Sequence, residues 1–206
     1  MTEAPRGYRM GQRARSVERT REAIVTAAAE AFLSRPYDEI RLVDVARAAG
    51  VTQQTLINHV NSKENLLLVA MLHLGRRILA ERGRTSPGDV AGAVRALVAQ
   101  YERYGDANVR FLALEPRLPA LAEAFEHART EHTRWLEEVF GALLPTKAGP
   151  RRRTLAALYA VTDVGTWKLL RRDLGHSRAT TSAVLLSMLR AVLRTGGELR
   201  EETCTS

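Results

Sequence analysis

The sequence predicts an all-α protein, with a short N-terminal helical unit followed by a larger one. Three observations carry that expectation. Apolar residues recur at intervals of three and four along most of the chain, the period of a helix with one buried face. Glycine and proline stand between those stretches and punctuate them: Pro36, Gly50, the segment GRTSPGD at 83–89, Gly105, Pro116, Pro119, Pro145, Pro150, Gly175 and the pair Gly196–Gly197. No stretch alternates apolar and polar residues with the period of two that a half-buried strand needs.

Residues 1–17 are Arg-rich and aperiodic and are expected to form a flexible basic arm. A first helix follows from Glu18 to Ser34, with Ile24, Ala27, Ala28, Ala31 and Phe32 at helical spacing, and Pro36 closes it. Leu42 to Ala49 fits a short second helix with Leu42, Val45, Ala46 and Ala49 on one face; Gly50 ends it, because glycine accepts the left-handed backbone of a tight turn. Thr52 is placed to cap a third helix running to about His59. Asn61 is expected to cap a fourth, with Glu64 completing a capping box, and this helix runs through LLLVAMLHLGRRILAER. Segment 83–89 has linker composition, so residues 18–82 are expected to be one domain and 88–197 a second, with 198–206 as a tail. The second domain reads as helices over about 88–104, 106–115, 119–144, 151–173 and 177–195.

Composition narrows the class of protein. The chain has 206 residues, 45% of them hydrophobic and 26% charged, which suits a folded chain with a sizeable core. Its net charge of +8 favours polyanion partners but is spread along the chain, so charge by itself points only weakly to nucleic acid. The single cysteine, Cys204, excludes an intramolecular disulfide and a cysteine metal cluster. The N-terminus has no apolar core of a signal peptide, and the longest apolar run, LLLVAML at 66–72, is too short to span a membrane. A soluble, cytoplasmic protein is expected.

The stretch GVTQQTLINHV at 50–60 is dense in uncharged hydrogen-bonding side chains, where an ordinary solvated helix carries Glu, Lys and Arg. Ala46 is small enough for a crossing helix to approach, Gly50 makes the turn, and Leu56 anchors the second helix beneath the first beside Val45, Ala49 and Val51. That is a helix-turn-helix. Its second helix turns Gln53, Gln54 and Asn58 outward, and amides both donate to and accept from base edges in the major groove. Gln53 and Gln54, nearest the helix N-terminus, are the leading base readers. Ile57 either meets a thymine methyl or packs on the preceding helix. Arg9, Arg13, Arg15 and Arg19 either reach a neighbouring groove or are solvated.

Residues 18–72 resemble the DNA-binding domain of the tetracycline-repressor (TetR) family, through REAIVTAAAEAF, VDVARAAGVTQQTL and HVNSKENLLLVAM. The resemblance implies an all-helical homodimer that represses transcription from a palindromic double-stranded DNA operator and is released by a small-molecule effector. It implies phosphate contacts from Thr52, Thr55, His59 and Lys63. Where the family has Thr or Ser near the start of the second helix, this chain has Arg41 and Leu42; an arginine can still reach phosphate, but the helix loses a good cap. Changes at Gln54, Ile57 and Asn58 make the operator sequence unreadable by analogy.

Two C-terminal helices are apolar on more than one face. One carries Leu158, Thr162 and Leu169, the other Leu185, Met188 and Val192, and these six residues are expected to form a dimer seam. The alternative is a single larger core. Aromatic residues Phe111, Phe125, Trp135 and Trp167, with His132 and Asp163 as polar anchors, are the candidate lining of a cavity for a mainly apolar ligand; the same aromatics also suit ordinary core. No enzyme is expected. His127 and His132 are five residues apart and diverge around a helix, the HExxH spacing is absent, and neither a phosphate loop nor a nucleophile elbow is present. No metal or cofactor is implied. A ligand-independent architectural DNA-binding protein is the alternative function.

Overall fold

The computed structural model describes the backbone of residues 6–201 and the side chains of residues 15–195, so the side chains of Arg9 and Arg13, and Cys204 altogether, lie outside the described part. The chain divides into two compact units, Met1–Gly75 and Arg76–Ser206. The division falls inside a helix, ahead of the segment 83–89 where composition suggests a boundary.

In the first unit α1 (Arg6–Ser34) is followed by a 3₁₀ turn at Tyr37–Glu39, α2 (Leu42–Ala48), α3 (Gln53–Val60) and the start of α4 (Lys63–Arg82). Ile24, Ala28 and Phe32 recur every four residues on α1 and are fully buried. Val45 and Ala46 of α2, Leu56 of α3, and Leu66, Leu67 and Ala70 of α4 join this core. Each fully buried Leu, Ile or Phe contributes roughly 1.5–3 kcal/mol, which holds helices too short to persist alone. The helix begins at Arg6 rather than Glu18, so residues 6–17 are not the aperiodic arm the sequence suggests. Arg, Gln and Met are good helix formers and extend a helix already nucleated by the core residues that follow.

The cap of α4 also differs from expectation. Ser62, not Asn61, accepts the Asn65 backbone N–H at 3.1 Å. Asn61 has φ 62° and ends α3 instead, its N–H returning to Ile57 O at 2.8 Å. Asparagine tolerates the left-handed region better than most residues.

The second unit contains the end of α4, then α5 (Val90–Leu112), α6 (Ala122–Phe140), α7 (Ala148–Thr162), α8 (Val164–Lys168), a π-turn at Leu169–Asp173 and α9 (Arg178–Glu201). Leu97, Leu136, Phe140, Leu158, Trp167, Leu185 and Leu189 lie at the heart of its core. The segment 83–89 is not a free linker: Gly88 N–H donates to Val139 O at 2.7 Å, and Asp89 caps α5 by accepting the Gly92 N–H at 2.7 Å.

Gly105 does not break the helix, and α5 runs straight through it. A Cβ at Gly105 would overlap the ring of Trp167, so glycine is there for close approach rather than for a turn. The single helix expected over 151–173 is broken instead at Asp163. Its backbone is extended (φ −69°, ψ 149°), and its carboxylate accepts the Gly165 N–H at 2.7 Å to start α8. The pair Gly196–Gly197 does not end α9, which continues to Glu201.

Three of the six expected seam residues sit inside the protomer. Leu158, Thr162 and Leu185 are at most 1% exposed and pack within their own unit. A helix apolar on two faces does not declare which face meets its own domain, and these residues are on the inner one. Leu169 and Met188 are exposed and Val192 half-buried.

Candidate nucleic-acid interface

The turn between α2 and α3 is set by four backbone and side-chain bonds. Gly50, at φ 69°, donates to Arg47 O at 3.1 Å, and Val51 donates to Ala46 O at 3.0 Å. These are the two bonds of a Schellman ending, which satisfies carbonyls that the end of α2 would leave unpaired. Two residues on, Thr52 Oγ1 accepts the Thr55 N–H at 3.1 Å and starts α3. The Thr52 and Thr55 hydroxyls lie 2.8 Å apart. Leu56 is fully buried and Val60 nearly so, and these two fix the rotation of α3 about its axis.

That rotation leaves Gln53, Gln54 and Asn58 exposed on one side of α3. Gln54 Nε2 donates to Asn58 Oδ1 at 2.9 Å, so the two amides are held in one orientation with Gln54 Oε1 and the Asn58 amide N–H groups left facing outward. This suits paired donor and acceptor recognition of a base edge. Ile57 and His59 are half-buried. Thr52 is exposed at the helix start and Thr55 is half-buried.

The expected phosphate contacts are differently placed from one another. Lys63 opens α4, and its Nζ lies 4.5 Å from the centre of the Tyr37 ring. Tyr37 in turn stacks on Phe32 with ring centres 6.1 Å apart. The ammonium is thereby directed without being neutralised. Tyr37 was not singled out in the sequence; it lies 26 positions from Lys63, and only the return of α4 past the 3₁₀ turn brings them together.

Arg41 is exposed but engaged, its Nε donating to Asp44 Oδ2 at 2.8 Å and Nη2 to Oδ1 at 3.2 Å. The Arg41 hydrogen bond holds the Asp44 carboxyl below its ordinary value. Arg41 also precedes α2 with no side-chain cap, as expected from the missing Thr or Ser. Reaching a phosphate would require Arg41 to leave Asp44, whereas Arg47, 75% exposed and only 3.4 Å from the same carboxylate, is the looser cation of this corner. Arg15 and Arg19 are exposed on α1.

The six candidate ligand residues have different immediate surroundings. His132 and Trp135 share a buried cluster, with ring centres 5.8 Å apart. Trp167 is packed against Gly105 and donates Nε1–H to Glu102 at 3.2 Å, while Asp163 is occupied as the cap of α8. Phe111 and Phe125 are buried. Arg82 and Gln100, which the sequence reading passed over, complete the His132 cluster.

Comparison with known proteins agrees with this architecture. Residues 24–70 match a family model described as bacterial regulatory proteins, tetR family. The chain is 28% identical over 138 residues to the HTH-type transcriptional regulator TcmR of Streptomyces glaucescens, a match covering 65% of this chain and 61% of that protein's length. Among solved structures, a tetR-family transcriptional regulator from Streptomyces coelicolor superposes with a TM-score of 0.70 at 15% identity, over 90% of this chain and 85% of that one. NalD, the secondary repressor of the MexAB-OprM multidrug efflux pump in Pseudomonas aeruginosa, gives 0.52 at 22% identity, over 85% and 96%. The capped and glycine-turned helix-turn-helix lies within the matched segment, so residues 24–70 carry a DNA-binding unit of the kind described for the tetR family of bacterial regulatory proteins.

Proposed function

We propose that this protein is an operator-specific transcriptional repressor that acts as a homodimer and leaves DNA when a small, mainly apolar molecule binds its second unit. The observation that carries the reading is the Gln53–Gln54–Asn58 row on α3, uncharged, exposed and ordered by the Gln54–Asn58 bond. A protein that held DNA only by its backbone would gain more from arginine and lysine at those positions.

A dimer follows from the symmetry of a palindromic site, which two recognition helices read about 34–36 Å apart or at a multiple of that spacing. Leu169, Leu174 and Met188, three of the largest exposed apolar side chains, fall within the α8–α9 stretch and support a seam there. The effector acts by favouring one spacing of the two recognition helices over another, through α4, which follows the α3 turn and ends at Arg82.

The test is a binding-site selection with the full chain, followed by titration of selected and random DNA at one salt concentration. A specificity ratio of roughly 10³ or more supports the repressor, and a ratio near unity supports a ligand-independent architectural role instead.

A further inference from the structure

Arg82, the last residue of α4, is 6% exposed, and its hydrogen-bond and ring partners are uncharged side chains. Its Nε donates to Gln100 Oε1 at 2.6 Å, and Nη1 donates to His132 Nδ1 at 2.7 Å. The guanidinium carbon lies 4.8 Å from the centre of the Trp135 ring. Tyr101 and Tyr159 are the other groups that influence it electrostatically. Among the described residues no carboxylate pairs with it, although other arginines of this unit do have such partners: Arg171 with Glu102, Arg172 with Asp106, Arg129 with Glu115.

The cluster's own hydrogen bonds fix its protonation. An arginine only donates, so His132 Nδ1 accepts and Nε2 carries the proton. Nε2–H then donates to Thr162 Oγ1 at 2.9 Å, and the Thr162 hydroxyl donates to Leu158 O at 2.7 Å. His132 is therefore neutral and cannot share or offset the charge. In the same cluster Trp135 Nε1–H is buried without a hydrogen-bond partner, in a residue only 4% exposed. A buried cation with neutral neighbours and a spare N–H beside it is costly in a folded protein unless something supplies negative charge.

We propose that this cluster is the effector site and that the effector is a small organic anion with an aromatic body, its carboxylate or ionised phenol held by Arg82. The proposal rests on the effector-responsive reading above and names the chemistry of that site. Trp135 Nε1–H is the second donor to the anionic oxygen. In this proposal the rings of Trp135, Tyr159 and Phe140 flank the body; Tyr159 meets His132 edge-on at 4.7 Å and is half-buried. Because Arg82 terminates α4, an anion drawn to it acts on the end of the helix that begins beside α3.

The experiment measures the melting temperature of the full-length protein with a panel of aromatic carboxylates, each matched to its primary amide, at millimolar concentration. At least one carboxylate should stabilise the protein more than its amide, with roughly tenfold tighter binding for the gain of one charge-assisted hydrogen bond. That preference should disappear in Arg82→Gln and persist in Arg82→Lys. Trp135→Phe keeps the ring, removes the N–H, and should weaken the carboxylate alone; it decides the matter should Arg82→Gln not fold. No carboxylate exceeding its amide, or a preference that survives both Arg82→Gln and Trp135→Phe, overturns the proposal. Operator release scored with the same compounds separates it from the wider reading: release by amides and not by acids would keep an effector-controlled repressor and discard the anion site.

Discussion

Gln54 and Asn58 are joined across one turn of α3, Nε2 donating to Oδ1 at 2.9 Å. The bond means that neither side chain must be ordered from scratch on binding. Gln54→Ala should cost roughly 1–3 kcal/mol on the cognate site and relax the preference at one base pair. Asn58→Ala should weaken the Gln54 contact as well, so the double substitution should cost less than the sum of the two. Titrations of the four proteins against a selected operator measure this; strict additivity would mean the bond does not persist on DNA.

Lys63 Nζ is held over the Tyr37 ring, 4.5 Å from its centre. Lys63→Ala should weaken cognate and random DNA alike and lower the slope of log K against log salt by about one unit. Binding isotherms across a salt series provide the check. A loss confined to the cognate site would assign Lys63 to a base.

Gly105 gives the Trp167 ring its place against α5. Alanine is the better helix former by roughly 1 kcal/mol. Its methyl would nonetheless drive the fully buried indole off its site, and such overpacking costs typically 1–3 kcal/mol. Gly105→Ala should therefore destabilise the protein in urea, against the propensity scale. A variant as stable as the parent would show that the ring can shift freely.

Leu185 and Met188 are on the same helix but have different surroundings: Leu185 is 1% exposed and Met188 38%. Leu185→Arg buries an unpaired charge in the protomer's own core and should unfold the second unit. Met188→Arg should leave it folded and dissociate the proposed dimer, weakening operator binding because one half-site remains. Circular dichroism and sedimentation of both variants distinguish the outcomes. A folded, dimeric Met188→Arg protein would move the seam elsewhere.

His132 is neutral in the fold, and burial, with the Arg82 charge beside it, pushes its pKa down to about 3 from 6.5. A group depressed in the folded state binds its proton more readily when unfolded. Its contribution to stability is whole above pH 6.5 and is lost as the pH falls from there towards 3, by up to about 1.4 kcal/mol per pH unit. Urea melts between pH 7 and pH 5 should show that slope, and His132→Gln should flatten it. An unchanged slope would place the acid sensitivity elsewhere.

The DNA-binding half was legible in the sequence because its determinants are local. Gly50 turns the chain, Thr52 caps the helix four residues after Ala48, and Leu56 sets which face points inward; each acts through neighbours in the chain. The periodicity of α1 and α4 was equally readable, while the start at Arg6 was not, since residues 6–17 show no hydrophobic period in the sequence. In the second unit the helical class was likewise evident, but the role of each residue was not. Gly105 looks like a stop until Trp167 lies against it, and Asp163 looks like a pocket anchor until it caps α8. Leu158, Thr162 and Leu185 have the pattern of an interface and belong to the interior, because a pattern gives the faces of a helix and only packing assigns their neighbours. Arg82 is the clearest case. At the end of a helix an arginine ordinarily complements the dipole in solvent; here Gln100, His132 and Trp135, brought from α5 and α6, close over it and leave the charge buried. The sequence by itself determined the helical class and the recognition turn, since these arise from patterns and bonds within a few residues. Tertiary structure decided what each side chain faces, since burial depends on segments far apart in the chain.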